Sequence, residues 1–119
     1  PVSAPFHSSL LAPAALRLKE RLASVNLAAP RIPVVHNVDV QVHTTPDAVR
    51  EALVHQADHP VRWVECVQAI AARGARIVCE CGPGKVLAPL VKRIADGADG
   101  RALVDRAAIE QAVAAVKGA

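Results

Sequence analysis

Residues 76–94 limit the possible architectures more than any other stretch. Arg76 to Cys81 is a short apolar run of strand character, Gly82-Pro83-Gly84 is a tight turn, and Lys85 to Ile94 reads as a helix. A strand leading directly into a helix is half of a crossover unit, and such units build parallel sheets.

The remaining segments fit that pattern. Leu11, Ala15, Leu18, Leu22 and Val25 recur at steps of three and four, so residues 8–25 form an amphipathic helix, with Ser8 or Ser9 at its start. Residues 33–40 are short and Val-rich, which is strand chemistry. Thr45 caps a helix that has Pro46 at its first position and ends near His55 or Gln56. Pro60 breaks it and starts another, which continues to about Arg73, where Gly74 stops it. Residues 96–100 are a loop, Ala102 to Asp105 is a short strand or extended segment, and Asp105 caps a last helix with Ile109, Ala112, Val113 and Val116 along one side. The class is α/β, with a mostly parallel sheet and flanking helices. Two or three strands hardly complete such a sheet. That shortage and the abrupt, Met-less opening at Pro1 lead to the expectation of a fragment, the C-terminal part of a longer protein.

Composition excludes several classes. Of 119 residues, 52% are hydrophobic and 21% charged, so this is not a disordered tail. No apolar run approaches the roughly 18 residues of a spanning helix, so no membrane segment is expected. The formal charge is +3, but the basic residues are scattered and Phe6 and Trp63 are the only aromatics, which argues against nucleic acid. Three cysteines, Cys66, Cys79 and Cys81, with no secretory segment fit a reducing, cytoplasmic setting. Cys79 and Cys81 would share a strand face. They lack the four-ligand spacing of a zinc site and read as buried, inert thiols.

Two motifs invite chemistry and fail on inspection. Gly82-Pro83-Gly84-Lys85 lacks both the upstream glycine and the following Ser or Thr of a phosphate loop, and is read as a close-packing turn. His55 and His59 are four apart, yet Pro60 interrupts their helix and no His-Glu-x-x-His pattern exists, so solvent-facing histidines are expected. His36 and His43 read as ordinary strand-end residues.

His7 has a more specific setting. The segment Pro1-Val-Ser-Ala-Pro-Phe-His7-Ser-Ser-Leu resembles the active-site histidine segment of the malonyl-CoA:acyl carrier protein transacylases and related acyltransferase domains. The resemblance continues in register through Pro33-Val-Val-His-Asn37-Val-Asp-Val, Leu53-Val-His-Gln56, His59-Pro-Val-Arg-Trp63 and Glu80-Cys-Gly82-Pro-Gly84-Lys-Val-Leu, and so covers essentially the whole chain.

The resemblance implies an α/β-hydrolase-like acyltransferase domain. Residues 1–119 would be its C-terminal segment, with the ferredoxin-like subdomain and the N-terminal part lying elsewhere. In that family a serine in a Gly-x-Ser-x-Gly elbow is the nucleophile, a histidine activates it, a backbone carbonyl orients the histidine, and an arginine holds the malonyl carboxylate. By motif, His7 is the histidine and Gln56 supplies the carbonyl; the elbow serine and the arginine have no counterpart here. Phe6 matches the malonyl-selective pattern, and Asn37 is a candidate supporting residue for substrate. The implied partners are malonyl-CoA, acyl carrier protein and the missing N-terminal part of the same protein, with no metal or redox cofactor. Arg17, Lys19, Arg21, Lys92 and Arg93 are candidates for contact with an acidic carrier. The alternatives are an acyltransferase piece of a polyketide synthase and a non-catalytic carrier-binding module.

Overall fold

The computed structural model describes residues 4–118, which form two units meeting in sequence at Cys66 and Val67. In the first unit, a single 3-10 turn at Ser9–Leu11 leads into helix α1, Ala12–Ala23. Its apolar stripe is as the periodicity predicts. Ala15 is buried and Leu11, Leu18, Leu22 and Val25 are half-buried, while Arg17, Lys19, Glu20 and Arg21 are exposed. This face packs on helix α2, Pro46–Asp58, whose Ala52 is buried. The Thr45 hydroxyl accepts the Ala48 N–H at 3.3 Å, the expected N-cap.

Arg50 fastens the two helices. Its guanidinium donates to the carbonyls of Leu22 at 3.0 Å and Val25 at 3.2 Å, and pairs with Asp47 at 2.5 Å. The end of a helix leaves carbonyls without intrahelical partners and carries partial negative charge, so a cation fits there.

The Val-rich stretch 33–40 is not a strand. Only an isolated antiparallel bridge, Val35 to Val42, forms, and the chain reverses between them. Asp39 is the cause. Its carboxylate accepts the Gln41 N–H at 3.0 Å, a side-chain turn that competes with extended pairing. The His36 carbonyl accepts the Val40 N–H, the His36 N–H donates to the Gln41 carbonyl, and Val40 is driven to φ 64°.

Helix α3, Trp63–Ala72, starts three residues later than Pro60 suggests. Gly74, at φ 91°, ends this segment with its N–H on the Ala71 carbonyl. In the second unit, strand β1, Ile77–Glu80, pairs in parallel with β2, Asp99–Ala102, from Ile77 opposite Asp99 to Glu80 opposite Ala102. Helix α4, Ala88–Ile94, connects them and packs on β2, burying Ala88 and Val91. This is the α/β unit read from residues 76–94, with two shifts. The helix begins at Ala88 rather than Lys85, and the second strand precedes the expected 102–105.

Helix α5, Arg106–Lys117, is capped by Asp105, which accepts the Ala108 N–H at 2.8 Å. Ala112 on its apolar side is buried, but Ile109, Val113 and Val116 are exposed. No helix among the described residues is long and apolar enough to cross a membrane.

Candidate active site

His7 sits just ahead of the turn that begins α1. The Ser8 hydroxyl donates to the Pro5 carbonyl at 2.7 Å, and His7 itself has φ 57°. That left-handed backbone is uncommon for a residue with a side chain, although histidine is among those that tolerate it. The bend carries the imidazole to the far end of α2, where Nδ1 lies 2.9 Å from the Gln56 carbonyl oxygen. A carbonyl only accepts, so Nδ1 must carry the proton. In the neutral ring Nε2 is then left with a free lone pair. The pair borders a cleft of about 300 Å³ lined also by Leu18, Leu22, Leu53 and Ala57. A nitrogen held in the basic tautomer beside an apolar-walled cleft can take a proton from a bound hydroxyl or thiol.

Phe6, next to His7, is 63% exposed, so it is not a core residue among the described atoms. Asn37 lies in the reversed turn. Its backbone carbonyl accepts the Arg62 N–H at 2.8 Å, while its Oδ1 is buried without a hydrogen-bond partner among the described residues. No hydrogen bond joins Asn37 to His7 or Gln56. The sequence-derived pair His7 and Gln56 is thus brought together, and Asn37 is not joined to it.

Among the other histidines, His55 and His59 are exposed as expected, whereas His36 departs from expectation. His36, read as an ordinary strand-end residue, is buried beside the reversed turn, its ring 5.1 Å from that of His43. Burial above all, with His43 adding, pushes the His36 imidazole below its ordinary range, against the pull of Asp39. Burial opposes ionisation of Asp39, but hydrogen bonds from the Gln41 N–H and from His43, at 2.7 Å, outweigh it and hold the carboxyl low. His59 and His55 have rings 5.6 Å apart, and Nδ1 of His59 is taken by Asp58 and by the His55 carbonyl. No metal-binding cluster occurs among the described residues. All three cysteines are free; Cys66 is buried, but Cys79 is only partly so and Cys81 is exposed, so the reading of that pair as buried fails for Cys81.

Glu80 has a role that the sequence did not disclose. Its carboxylate accepts the N–H groups of Val86, Leu87 and Ala88 at 3.2, 3.0 and 2.9 Å. The Ala88 bond chiefly holds its carboxyl below the usual range; desolvation opposes it, and the Leu87 and Val86 bonds add smaller pulls in the same direction as Ala88. The start of α4 is therefore filled by the protein's own anion, which agrees with the reading of Gly82-Pro83-Gly84-Lys85 as a turn rather than a phosphate loop. The partners lie six to eight residues apart, beyond the reach of local capping patterns, so no short-range signal marks them.

No family model matches the chain. Individual proteins do. The malonyl CoA-acyl carrier protein transacylase of Salmonella typhimurium is 47% identical over 113 residues, which is 95% of this chain and 37% of that protein. The crystal structure of an acyl-carrier-protein S-malonyltransferase from Burkholderia pseudomallei superposes with a TM-score of 0.90 at 56% identity, covering 96% of this chain and 37% of that one. A malonyl-transacylase solved with its type II polyketide acyl-carrier protein gives a TM-score of 0.90 at 40% identity, again covering 96% of this chain and 37% of that one.

In fold and sequence the chain is similar to a segment of the acyltransferases. More narrowly, it is a homologue of the malonyl CoA-acyl carrier protein transacylases, and it spans a little over a third of the length of the relatives it matches.

Proposed function

We propose that this chain is the histidine-bearing, C-terminal segment of a malonyl-CoA:acyl carrier protein transacylase of fatty acid synthesis, working in the cytoplasm with malonyl-CoA and acyl carrier protein. The observation that carries the reading is the 2.9 Å contact between His7 Nδ1 and the Gln56 carbonyl, because it fixes the tautomer a general base requires. The nucleophilic serine and the arginine for the malonyl carboxylate would come from the part of the protein outside these residues.

In the first half-reaction the serine hydroxyl attacks the thioester carbonyl of malonyl-CoA as its proton passes to His7 Nε2. The tetrahedral intermediate collapses with cleavage of the C–S bond, and the departing coenzyme A sulfur takes that proton. In the second half, the phosphopantetheine thiol of the carrier gives its proton to His7 and attacks the seryl ester. The serine oxygen leaves and recovers the proton. Imidazole is the side chain suited to accept and return a proton near neutrality. Gln56 contributes through its backbone, without adding a charge. No metal or redox cofactor enters this scheme.

In the complete enzyme, His7→Ala should lower turnover by about 10²–10⁴-fold with the fold intact. Gln56→Ala should have little effect, because alanine keeps the carbonyl. Near-normal transfer by His7→Ala would remove His7 as the base. The 119-residue chain alone should transfer no malonyl group, since it lacks the elbow serine. A polyketide role is the second reading, favoured by the similarity to the polyketide transacylase. Comparing transfer rates to carriers of the two pathways separates them.

A further inference from the structure

Inside an α-helix each carbonyl accepts the N–H four residues ahead. At the end of α2 this would assign the His55 carbonyl to the His59 N–H and the Gln56 carbonyl to position 60. Position 60 is proline, which has no N–H to give. A proline also drives the preceding residue out of the helical region, and His59 is extended at φ −116° and ψ 155°, with no backbone bond returned to the helix. Both carbonyls are therefore released, and they find different partners. The His55 carbonyl accepts Nδ1–H of the His59 ring at 2.9 Å, and the Gln56 carbonyl accepts Nδ1–H of His7 at 2.9 Å.

We infer that Pro60 is the positioning residue of the site: it removes the donor that would compete with His7 for the Gln56 carbonyl, while the His59 ring separately caps the neighbouring His55 carbonyl. Asp58, 2.6 Å from Nδ1 of His59, orients that ring. The Asp58 hydrogen bond first, and the one to the His55 carbonyl second, raise the basicity of His59, which favours the form in which Nδ1 is a donor. Neither His59 nor Pro60 needs to touch substrate. The inference rests on the proposed role of His7, and it explains why a helix should stop where this one does.

The test uses the complete enzyme with its histidines labelled with nitrogen-15. Pro60 is exposed, so Pro60→Ala creates no core cavity. The variant restores an N–H at position 60 and lets α2 run on toward it. We expect the His7 ring to lose its preference for the Nδ1–H tautomer, and kcat to fall about 10-fold with KM for malonyl-CoA unchanged. His59→Ala keeps Pro60 and should leave the His7 tautomer as in the parent. Parent-like tautomer populations in Pro60→Ala, or equal disturbance by His59→Ala, would overturn the inference. Should Pro60→Ala fail to fold, the parent decides alone. In parent enzyme labelled also with carbon-13 at its glutamine carbonyls, a scalar coupling across the hydrogen bond from His7 Nδ1 to the Gln56 carbonyl carbon must be present, and its absence refutes the device. The spectra need no substrate, so they judge this device even if His7→Ala proves active and the transacylase reading falls.

Discussion

Gly100 and Ala88 touch through bare backbone: a Cβ placed on Gly100 would stand 2.0 Å from the Ala88 carbonyl oxygen. Strand β2 and the first turn of α4 approach so closely only because that side chain is missing. The Ala88 carbonyl carbon would stand at 2.9 Å and Val91 Cβ, on the same helix, at 3.0 Å. Because the obstruction is a main-chain atom, no rotamer change relieves it. Gly100→Ala should destabilise the protein by about 3 kcal/mol or more. Thermal melting measures this, and a variant melting with the parent would refute the close approach.

Glu80 should make stability depend on acid. Its carboxyl titrates below its ordinary range in the folded chain, so the folded state binds the proton less readily than the unfolded one. The contribution is complete above the unfolded glutamate value of about 4.3 and is lost as pH falls through the lowered folded value. In denaturant titrations Glu80→Gln should be weaker than the parent at neutral pH, and the difference should shrink in acid. A constant gap across that range would contradict the capping role.

Arg50→Met keeps much of the aliphatic stem but removes the donors to Leu22 and Val25. Losing charge-assisted bonds to two carbonyls at a helix end should cost about 1–3 kcal/mol. The loss should appear first as faster amide exchange in the last turn of α1. Unchanged exchange there would show that the clamp is idle.

Phe6 adjoins the proposed base, and its ring should occupy the space an α-methyl group would need. Phe6→Ser in the complete enzyme should raise kcat/KM for methylmalonyl-CoA relative to malonyl-CoA by up to about 10–200-fold, the range for a methylene-sized difference. An unchanged ratio would assign selectivity to other residues.

Periodicity made the helices legible because it reports burial directly: the stripe from Leu11 to Val25 is the face that α1 covers. Thr45 and Asp105 were legible because cap and partner are three residues apart. The stretch 33–40 was misread because valine content speaks for extended backbone, whereas one carboxylate at Asp39 imposes a turn. The second strand was misplaced because Gly100 looks like a loop residue, and its use as a contact point depends on a helix elsewhere. His7 and Gln56, 49 residues apart, were paired by resemblance alone; no spacing rule joins a loop to a helix end at that separation. Glu80 and Arg50 carry no such signal either, since the backbone partners of Glu80 lie 6 to 8 residues away and those of Arg50 lie 25 and 28 away.

Val40 marks a place where the chain is locally frustrated. A β-branched residue at φ 64° is a conformational outlier, costing about 1–2 kcal/mol, and it persists only because the bonds around Asp39 and His36 overrule it. A sequence composed to suit this backbone would place glycine or asparagine there, and the natural one does not. The turn thus holds unclaimed stability at a position remote in sequence from His7, and a designer seeking a hardier protein would begin there rather than at the candidate site.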